Sequence, residues 1–206
     1  LPPATIIKGE TFETKDEFKF GPYRYYNVDE PFEDDIKIFA NLKYEVQSVA
    51  GAETCVKREE AEGEDIPVNC GKRQSIKTQQ TDLPLKVSSL TAESVSEDSV
   101  ATVYLGILLT KAKEGNIVSR QDVQGQSSLG TADVEFEVLV AGISADCPDA
   151  TPYLEVRQDE NQKKIDCTAE VSLPQNSLDI PIRIKIGYGF IQTIPARTIK
   201  LVKGGR

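Results

Sequence analysis

A chain of 206 residues with 39% apolar and 28% charged residues has a globular balance, and its length suits one large domain or two of about 100 residues. A net charge of -9 argues against a partner bound through phosphates, so no nucleic acid is expected. Histidine is absent, which removes most nucleophile–base pairs and the commonest metal ligand.

In chain order, the first segment is residues 1–19. The chain opens Leu1-Pro2-Pro3 and contains no Met. A processed terminus, with a signal peptide or membrane anchor removed, accounts for this, as does simple trimming. Thr5, Ile6, Ile7 and Lys8 are β-prone and precede the charged stretch 10–19. They read as a first strand and an exposed linker. The sharper reading makes them a donor strand that completes a neighbouring subunit's sheet. Tyr23, Tyr25 and Tyr26 follow Gly21-Pro22 as an aromatic knot, a candidate interface or a plug at the end of a sandwich.

Glu33, Asp34 and Asp35 come next, with Glu30 close by, and a second acidic run (Glu59, Glu60, Glu62, Glu64, Asp65) follows Cys55. Hard oxygen ligands in a loop could hold calcium, but neither run has an EF-hand spacing. Their plainer reading is a solvated surface, so no cofactor is expected.

The dominant signal is period-2 alternation, which describes strands with one wet face and one buried face, as in antiparallel sheets. It runs through Ile36, Ile38, Ala40, Leu42, Tyr44 and Val46, then Val103, Leu105, Ile107 and Leu109. It returns in Val134, Phe136, Val138 and Val140, and in Ile180, Ile182, Ile184, Ile186, Tyr188 and Phe190. Shorter strand candidates occupy 54–57, 66–70, 83–90, 153–156, 164–167, 169–173 and 197–202. No stretch favours an amphipathic helix. The expected fold is all-β, as tandem immunoglobulin-like β-sandwiches with antiparallel sheets.

The Gly/Ser/Gln-rich stretch 123–131 has a linker's composition. It would divide a domain at 20–122 from one at 132–206. Each would own a near cysteine pair, Cys55–Cys70 and Cys147–Cys167. Such bridges close loops of about 15 and 20 residues, each stabilising by roughly 3 kcal/mol in the chain-entropy model. A zinc site built from the four cysteines is the rival, but no C-x-x-C spacing supports it. Bridges persist outside the cytosol, so an extracellular or cell-surface location is expected.

After Asp179 every charged residue is basic, including Arg183, Lys185, Arg197, Lys200, Lys203 and Arg206. Opposite charge at the two ends suits head-to-tail association, with the basic C-terminal strand as a receiving edge. Alternatively, those residues guard an exposed edge against aggregation.

The stretch from Phe20-Gly21-Pro22-Tyr23 through Pro31-Phe32-Glu33-Asp34-Asp35 to Cys55-Val56-Lys57, together with Pro181-Ile182-Arg183-Ile184-Lys185-Ile186-Gly187-Tyr188, resembles the β-sandwich ectodomains of archaeal cell-surface proteins. The resemblance implies tandem immunoglobulin-like domains behind a membrane anchor absent from this chain, and a surface or filament role. No P-loop, G-x-G-x-x-G or G-x-S-x-G motif occurs, so no enzyme is expected. The expected function is an extracellular structural or adhesive protein that partners with itself as a filament (pilus-like) or surface-layer subunit. The other reading is a monomeric binding module that takes a ligand or calcium through its loops.

Overall fold

A computed structural model of the chain describes residues 6–7, 10–11, 35–58, 70–80, 82–123, 130–174 and 177–200, with side-chain environments over 40–58, 70–80, 82–123, 130–174 and 177–195. Two compact units emerge, Leu1–Ala40 with Ile194–Arg206, and Asn41–Thr193. In the first, β1 (Ile6–Ile7) pairs antiparallel with β2 (Glu10–Thr11), Ile6 opposite Thr11 and Ile7 opposite Glu10.

The second unit is built from two sheets. One has the order β10 (Leu154–Arg157), β8 (Thr131–Val140), β12 (Ser177–Lys200, in this unit up to Thr193) and β3 (Asp35–Lys57, in this unit from Asn41). It also holds β7 (Asn116–Val118) against β12 and β9 (Ile143–Ser144) against β8. The other has the order β11 (Gln162–Ser172), β6 (Val100–Lys111), β5 (Leu85–Glu97) and β4 (Gln74–Ile76). The only helical pieces among the described residues are 3-10 turns at Arg120–Val123 and Pro148–Ala150.

Alternation carries through to the core. Ala101, Val103, Leu105, Ile107 and Leu109 of β6 are buried, as are Ile180, Ile182, Ile184, Ile186, Tyr188 and Phe190 of β12. One hydrophobic cluster takes in both sets together with Ile165 and Val171 of β11. β5 breaks its own alternation at a bulge between Val87 and Ser89, so Leu85 and Val87 point inward before it, and Leu90 and Ala92 after it. The two-residue turn from β8 to β9 has positive φ at Ala141 (51°) and Gly142 (84°), the backbone of a type I′ hairpin.

Two expectations change here. Strands on the two sides of 123–131 do not form separate sheets. β6 pairs with β11 from Thr110–Gln162 to Val100–Ser172, while β12 takes β3 on one side and β8 with β7 on the other. The stretch 123–131 therefore divides no two cores among the described residues; its ends join strands that both lie against β12. The basic C-terminal strand is not an edge over 182–191 either. Arg183 and Lys185 sit on an interior strand and project from its exposed face.

Candidate binding surfaces

The exposed face of the sheet containing β12 carries a recess of about 350 Å³, lined by Gln47, Val49, Glu135, Glu137, Tyr153, Lys185 and Gly187, among others. Its floor is set by register. Gly187 lies opposite Glu135 on β8, and Tyr153 lies just ahead of the Leu154–Val134 pair. On the other side Thr193 hydrogen-bonds Asn41 and the Phe190 ring lies 5.5 Å from Tyr44. Residues thus descend β3 as they climb β12, which brings Gln47 beside Gly187. A row Gln47–Gly187–Glu135–Tyr153 crosses the sheet with its glycine in the middle. A Cβ on Gly187 would stand 2.6 Å from a Glu135 carboxylate oxygen, so only glycine leaves this floor open without moving Glu135.

Ion pairs fix the walls. Arg120, in the turn after β7, donates from Nη1 to Glu135 Oε2 at 2.9 Å, and from Nη2 and Nε to Glu45 Oε2 at 2.9 and 3.2 Å. Glu45 first, then Glu135, hold the guanidinium above its usual range. Lys185 Nζ donates to Glu137 Oε2 at 2.7 Å. Val49 and Tyr153 stand exposed at the two ends, 56% and 50% accessible.

A second recess, of about 280 Å³, opens on the other sheet around Gly106, with Tyr104, Thr91, Glu93, Arg73, Lys164 and Asp166 in its lining. Here too a glycine makes the floor, since a Cβ on Gly106 would meet Thr91 Oγ1 at 2.7 Å. Lys164 and Asp166 pair at 2.9 Å.

Between the sheets, Tyr188 is fully buried, and its hydroxyl accepts a hydrogen bond from the Leu85 backbone N–H at 3.0 Å. Burial pushes the Tyr188 phenol well above the ordinary tyrosine range; the Leu85 bond opposes the shift and the nearby Tyr44 adds to it. Burial raises Tyr44 as well.

Both local disulfides form, Cys55–Cys70 and Cys147–Cys167, and no cysteine is left free. With both bridges closed, no cysteine is left as a thiolate ligand. Paired thiols are the state of an oxidising compartment. No described helix is long and apolar enough to cross a membrane. Ile6 and Ile7 form a strand, while Thr5 and Lys8 lie outside the described residues, as do Tyr23, Tyr25, Tyr26, Glu33 and Asp34. Asp35 opens β3. Among the described residues no His/Cys/Asp/Glu cluster suits a metal ion. Arg120, Gln47 and Tyr153 carry no motif and gain meaning only from sheet register. The chain matches no family model, no curated protein and no solved structure.

Proposed function

We propose that the chain is an extracellular structural or adhesive protein that acts through protein–protein contacts rather than as an enzyme. The reading rests on one observation: two local disulfides staple a two-sheet unit whose recesses are open and shallow and whose sheet edge is accessible. β11 ends its sheet, and among the described residues its outer side makes one backbone pairing, the bridge between Asp146 and Thr168, next to the Cys147–Cys167 bond. That bridge shows that the Thr168 backbone groups face outward. Alternation then turns the backbone groups of Lys164, Asp166 and Glu170 the same way, a row able to pair with an added strand.

The most concrete version is a self-assembling subunit of a surface filament or layer. Ile6 and Ile7 supply a donor strand, and β11 replaces the basic C-terminal strand as the receiving edge. The two-sheet unit is, on this reading, a β-sandwich of the immunoglobulin-like kind carried by archaeal surface ectodomains. Negative-stain microscopy of the oxidised chain tests assembly. Fibres or regular oligomers that vanish on deletion of residues 1–19, with the β-sheet circular dichroism retained, are expected. Isolated particles for the full chain would refute strand donation.

A further inference from the structure

The geometry points to a binding site for a neutral saccharide in the recess over Gly187. The inference concerns a single chain and does not depend on assembly.

Three features carry it. First, the polar groups are held in place before any ligand arrives. Glu135 and Glu137 line the recess and each engages its cation through Oε2, leaving the second oxygen outside the hydrogen bonds made among the described residues. An ionised carboxylate has about four acceptor sites, so each keeps capacity for hydroxyl donors. Gln47 adds an amide that can both donate and accept at the same floor.

Second, the charge is nearly balanced. Two carboxylates line the recess, Glu135 and Glu137, against one cation, Lys185, and both Lys185 and the neighbouring Arg120 are already paired. An anionic ligand would meet a residual negative charge, and a cation would have to compete with Arg120 and Lys185 for the same carboxylates. A neutral molecule rich in hydroxyls meets neither obstacle.

Third, apolar contact stands beside the polar groups. Tyr153 and Val49 flank the row on opposite outer strands, three strand spacings or about 14 Å apart. A half-exposed tyrosine ring is an apolar body with a polar tip, suited to the C–H face of a sugar ring. The span and the recess of about 350 Å³ suit one or two pyranose units lying across the sheet. The recess around Gly106 has a tyrosine too, but among the described residues no ion pair joins Arg73 to Glu93 there, so its polar groups are less fixed.

The test is a titration of the ¹⁵N-labelled, oxidised full chain with glucose, mannose, galactose, N-acetylglucosamine and their short oligomers, followed by amide shifts. At least one neutral sugar should move amides around Gln47, Glu135, Tyr153 and Gly187. Tyr153→Ala should weaken that binding about tenfold. Tyr104→Ala, on the other sheet, should leave it unchanged. Tyr153 is half exposed, so its loss spares the core, and an unchanged amide spectrum elsewhere checks folding. No shift with any neutral sugar, shifts that survive Tyr153→Ala, or shifts produced only by a sulfated saccharide would each overturn the assignment.

Discussion

The side-chain amide of Gln158 pairs with both backbone groups of Ile117, its Oε1 accepting from the Ile117 N–H at 3.2 Å and its Nε2 donating to the Ile117 carbonyl. One glutamine thus takes the place of a strand along the outer side of β7. Gln80 does the same for Val87 at the β5 bulge, accepting from its N–H at 3.1 Å and donating to its carbonyl. Gln158→Ala should cost about 1–2 kcal/mol, because two backbone groups lose their partner. Hydrogen exchange should quicken first at Ile117; unchanged protection there would show that the pairing is unimportant.

The hydroxyl of Tyr188 links the sheets through Leu85. Tyr188→Phe keeps the ring but leaves the Leu85 N–H without an acceptor in the core, at a cost of about 1–3 kcal/mol. Urea unfolding should show a lower midpoint with the slope preserved. An unchanged midpoint would mean that Leu85 finds another acceptor.

The same tyrosine sets an alkaline limit. Its phenol titrates higher in the folded chain than in the unfolded one, so the folded state holds its proton more tightly. This stabilisation is fully present below about pH 10, where both states are protonated, and is lost as pH rises above it. Unfolding free energy measured on either side of that point should fall with pH, and the fall should be smaller in Tyr188→Phe. A rise, or an equal fall in the variant, would contradict the linkage.

Each disulfide closes a short loop of the denatured chain. Replacing Cys147 and Cys167, or Cys55 and Cys70, by Ala should cost about 3 kcal/mol per bridge on the chain-entropy account. Intact mass with and without reductant should differ by four hydrogens for the two bridges. Free thiols in the unreduced protein would remove the main support for export.

Much of the core was legible from alternation alone. The buried positions of β6 and β12 are those that period 2 selects, and both cystines follow from proximity in sequence. Pairing was not legible. β6 and β11 carry equivalent patterns, and nothing local says that 100–111 should pair with 162–172 across the Gly/Ser/Gln-rich stretch. Local cysteine pairs also favoured a division, since each bridge stays within one segment whether or not the segments share a core. Alternation in β5 is interrupted by its bulge, which hid a strand reaching Glu97. Gly189 was unreadable for another reason: a Cβ there would stand 2.3 Å from a Val123 methyl, a contact made only once the turn after β7 has folded back. The roles of Arg120, Gln47 and Tyr153 likewise exist only in the register of assembled strands.

Sedimentation velocity of the oxidised chain over a wide concentration range tests the proposed function most directly. Species that grow with concentration and revert to monomer when residues 1–19 are removed are expected. A single monomeric boundary at every concentration would contradict that function.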